Sequence, residues 1–370
     1  MNKILCICTS ILGNKTFTQN LKLALGSLIE FDVTFIDIIP NDYKSNIAPK
    51  YRKFLGMSSE SLWVINEKVK NTNITEYSLI IVQGFEIGWA LNQFVANLPC
   101  IMFNDSTPTA THRMICKYPY HNFIWKLRSY ILISSYKTFF RNIVSNIDIF
   151  FPRSNWCGQS LIEDFGVDSS KVNGGTVCFD LDTWSADWTL DREKNPTLLF
   201  VGNDFQRKGG NFLLKLFLEL TDKITLKIIS NDPCLDSQKL PQRVKHLKNI
   251  SRKKILKHYQ QDNIFIFPTY KEHLGLSQIE ALAAGLPLIS RDVGGVSDAV
   301  INGHNGFLIP YESTDQEWIE KIQYLIDHPE ERERMGKNSR KLAEKKFSIE
   351  NFKKTIHDTI LKLLEEYALK

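Results

Sequence analysis

The stretch "PTYKEHLGLSQIEALAAGLPLISRDVGG", residues 268–295, carries two glutamates, Glu272 and Glu280, with seven residues between them. A carboxylate can accept from two neighbouring hydroxyls at once, and such charge-assisted bonds are worth roughly 1.5–3 kcal/mol. The preceding "NIFIFP" is short, apolar and rich in Ile and Phe, so it reads as a buried strand ending at Pro268. In "LSQIEALAA" the apolar residues Leu276, Ile279, Leu282 and Ala283 recur at helical spacing, and Gly285 with Pro287 ends the helix. Glu272 therefore belongs to the turn and Glu280 to the helix. A strand, a glycine-containing turn and a helix N-terminus together form the place where open α/β sheets bind anions. A negatively charged ligand is expected near Gly275.

Elements of the same kind alternate along the whole chain. In the first half, strands are read at "KILCICT", "DVTFIDII", "SLIIVQG", "PCIMFND" and "DIFFPRS", with helical patterns such as "TQNLKLALGSLI" and "WCGQSLIEDFG" between them. After Asp191 the series restarts with strand "PTLLFVG", helix "GNFLLKLFLELT", strand "ITLKIIS", helix "RKKILKHYQQ" and "NIFIFP". At 370 residues the chain exceeds what one core usually holds. Two doubly wound α/β domains are expected, residues 1–182 and 183–350, followed by a C-terminal helix at 351–370 that can cross back to the first domain. They meet near "DLDTWSADWTLD", with the ligand cleft between them.

Composition narrows the class. An apolar fraction of 43% and a charged fraction of 24% suit a folded, water-soluble chain. Seven scattered cysteines show no disulfide framework, which favours buried thiols in a reducing cytoplasm. The N-terminal "MNKILCICTSILG" lacks an Ala-x-Ala cleavage site and reads as a first strand. No apolar run approaches the roughly 20 residues that span a bilayer. The net charge of +5 is unevenly placed, since residues 106–146 hold six basic residues and no acid, interleaved with aromatic residues. Such a segment suits an anionic membrane surface or an anionic acceptor, and equally a buried helix with a solvated basic face. A nucleic-acid partner is not expected.

Three motifs carry a resemblance. "VGNDFQRKGGNFLL" (201–214), "EHLGLSQIEALAAGLPLISRDVGG" and "INGHNGFLIP" (301–310) are similar to the carboxy-terminal domain of glycosyltransferase family four, strongly over 197–310 and weakly in the first half. The resemblance implies a GT-B fold, two Rossmann-like domains facing a cleft, and retaining transfer from a nucleotide sugar. "DFQRKG" followed by E-x7-E is also similar to lipopolysaccharide core glucosyltransferases. On this resemblance Glu280 holds the ribose, Glu272 faces the donor sugar, and Gly275, Leu276 and Ser277 offer N–H groups to the diphosphate. Gly202 and Asn203, at the strand end, line the same site. Asn203 stands where many relatives have a basic residue, and His273 where they have Gly. Arg207 and Lys208, read as opening a helix, are two cations that can hold a diphosphate.

Asp180 and Asp182 form an Asp-x-Asp, the metal motif of another transferase fold, but at the domain junction they read as structural. No metal and no cofactor beyond the nucleotide sugar are expected, with UDP the first nucleotide and GDP the alternative. Asp105, in "MFNDSTPTATH", is a candidate contact to the acceptor hydroxyl, and His112 follows it; the competing reading makes Asp105 or Ser106 a helix N-cap. The acceptor class implied is a glycan, glycolipid or lipid-linked hydroxyl, handled in the cytoplasm or on the inner membrane face. A nucleotide-sugar epimerase and a non-catalytic sugar-nucleotide binding subunit are the rival readings.

Overall fold

The computed structural model describes residues 1–10, 14–39, 64–91, 98–175, 177–185, 196–221 and 223–369. Outside the described residues lie Ile11–Gly13 of the N-terminal run and 186–191 of the Asp- and Trp-rich stretch, together with the side chains of Trp125, Arg128, Tyr136 and Phe139. The chain forms two compact units. One comprises Met1–Arg113, Asn122–Phe179 and Ser348–Lys370, and the other Met114–His121 and Asp180–Phe347.

In the first unit the elements run β1 (Asn2–Thr9), α1 (Asn14–Gly26), β2 (Phe31–Ile38), β3 (Leu79–Gln83), α2 (Phe85–Ala90), β4 (Cys100–Asn104), α3 (Pro108–Lys117), α4 (Phe123–Val144), β5 (Ile149–Pro152) and α5 (Asn155–Phe165), α3 ending inside the other unit. Every strand pair is parallel, in the order β2-β1-β3-β4-β5. Helices cover both faces, which is why these strands are apolar at nearly every position. Ile4, Cys6 and Cys8 enter one core with Phe17 and Leu21, while Leu5 and Ile7 enter the other with Ile80, Val82 and Phe150. Five of the thiols are buried and none of the seven is in a disulfide; Cys234, contrary to expectation, is exposed. Ser154 caps α5 by accepting from Cys157 N–H, and Gly166 closes it at φ +70°.

In the second unit β6 (Thr197–Val201), α6 (Gly210–Leu218), β7 (Thr225–Ile229), β8 (Val244–Leu247), α7 (Arg252–Gln261), β9 (Ile264–Phe267), α8 (Leu276–Ala283), β10 (Leu288–Arg291), β11 (Gly306–Ile309), α9 (Asp315–Asp327) and α10 (Pro329–Phe347) follow one another. The sheet is again parallel, ordered β11-β10-β9-β6-β7-β8. The chain winds from β6 outward to β8 and then returns to the other side of β6 as β9. Its direction of winding therefore reverses between β6 and β9, and the crevice at their carboxyl ends is where such sheets take ligands.

The last helix, α11 (Ile349–Ala368), packs on the first unit. Its Phe352, Ile356, Ile360 and Leu363 enter the core that also holds Ile4 and Phe103, and the Phe352 ring lies 5.8 Å from Phe103.

Candidate active site

The loop after β6 is shaped by backbone geometry. Gly209 has φ +78°, and a Cβ there would meet the Pro268 carbonyl oxygen at 2.1 Å, so only glycine lets this loop lie against the end of β9. That geometry also places Arg207 and Lys208 in the turn ahead of α6 rather than at its opening, because Gly209 ends the turn and the helix begins at Gly210. At Gly202 a Cβ would meet Lys208 Cδ at 2.4 Å, so the lysine lies across the strand end. Asn203 serves the loop itself, since its Oδ1 accepts from Asn231 N–H at 2.8 Å.

The loop after β9 meets it. Arg207 Nε donates to Asp204 Oδ2 at 2.6 Å and its Nη1 reaches Glu272 Oε2 at 3.3 Å and the Lys271 carbonyl. Lys208 Nζ lies 3.8 Å from the same Glu272 oxygen and 5.1 Å from the centre of the Phe267 ring. The Arg207 carbonyl accepts from Tyr270 N–H at 3.0 Å. Burial works against each charge, and the neighbours decide the outcome. Glu272 would be pushed up by burial, but Lys208, Arg207 and His273 hold it below the usual carboxylate range. Burial likewise opposes Arg207, and Glu272 with Asp204 raises it regardless. For Lys208 burial prevails and its pKa falls, despite Glu272.

Glu280 has a different environment. It sits inside α8, and the Tyr259 hydroxyl of α7 lies 3.0 Å from both Glu280 Oε2 and the Ser277 carbonyl oxygen. Burial pushes its pKa up to about 7, opposed by Tyr259, Arg252 and Lys208. The N-terminus of α8 has no side-chain cap, Gly275 standing at the N-cap with φ +86°. Ser277 Oγ is buried there with no hydrogen-bond partner among the described residues. The N-terminus of α8 and this buried hydroxyl thus follow directly on the loop that carries Glu272.

Gly202, Asn203, Arg207, Lys208, Glu272, Gly275, Leu276, Ser277 and Glu280 all belong to the carboxyl edge of β6 and β9. Asp105 belongs to the other unit. It follows β4 in the first unit, where Thr107, not Asp105 or Ser106, caps α3: Pro108 fixes the first helical position, and Thr107 Oγ1 accepts from Ala110 N–H at 3.1 Å. His112 Nδ1 lies 2.9 Å from Ser129 Oγ. Asp180 Oδ1 accepts from the Asp182 and Thr183 N–H groups at 3.1 Å, closing a turn.

Two contributors escaped the sequence reading. Gly294, at φ +57°, would bring a Cβ within 1.9 Å of the Glu272 carbonyl oxygen, and Gly295 N–H donates to His273 O at 2.9 Å. The adjacent glycines after a strand were the available signal. Tyr259 had none, because its meeting with Glu280 arises from the return of α7 into β9 beside β6.

Residues 183–342 match the family described as Glycosyl transferases group 1. Spore coat protein SA of Bacillus subtilis is 26% identical over 224 residues, covering 52% of this chain, and the match spans only 59% of that relative's length. Among solved structures, sucrose-phosphate synthase from Thermosynechococcus elongatus superposes with a TM-score of 0.77 at 18% identity, covering 99% of this chain and 100% of the other. Anabaena HepE in complex with UDP-glucose gives 0.67 at 16% identity, covering 98% and 100%. The chain therefore has two Rossmann-like parallel-sheet domains, the GT-B fold of its solved structural neighbours, and its second half carries the match to the glycosyl transferases group 1 model.

Proposed function

We propose that this protein is a retaining glycosyltransferase of family four, moving a sugar from a UDP-sugar to a hydroxyl of a glycan, glycolipid or lipid-linked acceptor. One observation carries the reading: Arg207, Lys208 and Glu272 converge with the uncapped N-terminus of α8 where the winding of the second sheet reverses. A diphosphate leaving group develops negative charge as the glycosidic bond breaks, and preorganised donors there stabilise the transition state. Arg207, Lys208 and the N–H groups after Gly275 are those donors. Glu272 faces the donor sugar and Glu280 accepts from the ribose hydroxyls. The acceptor hydroxyl attacks from the face the diphosphate leaves, and a phosphate oxygen takes its proton, with Asp105 as the acceptor-side contact. Neither metal nor further cofactor takes part. Binding of UDP-glucose by HepE supports the choice of UDP. Incubation with UDP-sugars and hydroxyl acceptors, followed by product analysis, tests the reading. An anomerically retained glycoside is expected; interconversion of the donor alone, as by an epimerase, would overturn it.

A membrane-linked acceptor fits the first half of the chain. Phe123, Ile124, Leu127, Tyr130 and Ile131 are all exposed and recur on one face of α4, in a segment with no acid. No helix among the described residues is long and apolar enough to cross a membrane. Sedimentation should show binding to anionic vesicles that falls with salt and with Lys126→Gln/Lys137→Gln. Equal binding to neutral vesicles would count against an electrostatic surface.

A further inference from the structure

The carboxyl edge of the first sheet carries polar groups that the transfer chemistry leaves unused. Gln83 and Asn104 end β3 and β4, and Arg153 directly follows β5, so three adjacent strands each present a polar residue at this edge. Arg153 N–H donates to the Asn104 carbonyl at 2.9 Å, but the Asn104 amide turns to Cys157 Sγ on one face of the sheet, whereas Gln83 and Arg153 lie against Thr18 and Phe17 of α1 on the other. All three are more than nine-tenths buried or at that limit, with 9% exposure for Arg153, 2% for Gln83 and 4% for Asn104.

Their hydrogen bonding is incomplete. Arg153 Nε, Gln83 Nε2 and Asn104 Oδ1 are buried with no partner among the described residues. Gln83 is nevertheless oriented, since its Oε1 accepts from Thr18 Oγ1 at 2.9 Å, and that leaves its amide donor as the group without a partner. The Phe17 ring lies 4.0 Å from the Arg153 guanidinium carbon and covers one face of it without using an N–H. No carboxylate of the described residues pairs with Arg153; Asp105 acts on it only through space, too weakly to offset the burial that lowers its pKa. A guanidinium has five donors and stays charged, so burial without an acceptor is costly unless a ligand supplies one. The winding of this sheet reverses between β1 and β3, next to Gln83, which is the position where such sheets take ligands.

We propose that this edge is an oxyanion subsite on the α1 face of the sheet, in which Arg153 and Gln83 donate to a carboxylate or phosphate group on the acceptor. The acceptor is then an acidic molecule, and this step rests on the glycosyltransferase reading above. The anion site itself can be tested without it. In an Arg207→Gln/Lys208→Gln background, which removes the cations of the second unit, inorganic phosphate and glucuronate are titrated by calorimetry and thermal shift. Saturable binding of at least one is expected, weakened at least tenfold by Arg153→Gln and in part retained by Arg153→Lys. Gln83→Leu, which keeps the volume and removes the donor, should weaken it as well and carries the test if Arg153→Gln does not fold. Preference for phosphate points to a phosphorylated acceptor and preference for glucuronate to an acidic sugar. Absence of binding, or equal binding by Arg153→Gln and Gln83→Leu, overturns the subsite. UDP binding is measured in parallel on the unsubstituted protein. Its loss there would sink the transferase reading and leave the anion result standing.

Discussion

Glu280 enters the neutral range because burial in α8 outweighs the help it receives from Tyr259, Arg252 and Lys208. The folded protein then keeps a proton between the ordinary value of 4.5 and about 7 that the unfolded chain has already released. Its contribution to stability is complete below the lower value and is lost as pH rises to the upper one. Glu280→Gln should therefore be more stable than the parent at pH 8, by on the order of 2–3 kcal/mol, and indistinguishable near pH 4. The same substitution should weaken UDP, whose affinity for the parent should rise between pH 6 and 8 more steeply than for the variant, a comparison that removes the titration of the phosphates. Calorimetry and thermal melts across pH measure both. Lys208 makes the complementary case. Lys208→Ala should lower kcat about 100- to 1000-fold, as expected for loss of one preorganised donor, while EDTA leaves the parent's activity intact. Activity abolished by EDTA, restored by Mn²⁺ and indifferent to Lys208→Ala would return attention to Asp180 and Asp182.

At the scale of elements, the position of Glu272 depends on a glycine in another loop. Gly294→Ala places a Cβ against the Glu272 carbonyl and a side chain at positive φ, a strain of roughly 1–3 kcal/mol. The loop after β9 must shift, so kcat should fall more than tenfold while UDP affinity, which depends on Glu280 within the helix, changes little. A parallel loss of both would show that the glycine supports the whole edge instead. This kind of dependence also marks how far sequence alone reached. Long apolar strands such as β1 and β6, and helices with regular spacing such as α7 and α8, were readable because each periodicity is local. β8, β10 and β11 went unread, being four residues long and holding Lys245, Arg291 or Gly306 where an apolar run would signal a strand. The charge cluster was readable from its motifs, whereas Tyr259, Gly294 and Arg153 owe their surroundings to parallel crossovers that join distant segments. The start of α9 was within reach: Thr314 and Glu317 form a capping box, a spacing visible in "STDQE".

At the scale of the whole molecule, the first unit depends on the last helix. Phe352, Ile356, Ile360 and Leu363 are at most 3% exposed. Burial of such side chains stabilises by about 1.5–3 kcal/mol each, so together they rival the whole stability of an ordinary domain. Removal of residues 348–370 should leave the first unit without fixed tertiary structure. Near-UV dichroism and amide exchange should show the loss there, and native-like protection of β1 and β3 in the shortened chain would refute it.

The interleaving of the two units bears on how the protein is made. A ribosome delivers β1 to β5 before the second unit, but the helix that completes their core emerges only after it. Throughout synthesis of the second unit, the nascent first unit exposes the patch around Phe103 and Phe151 that Phe352 later covers. Chaperone occupancy on stalled ribosomes should therefore persist until α11 has left the exit tunnel, long after the first sheet has been translated.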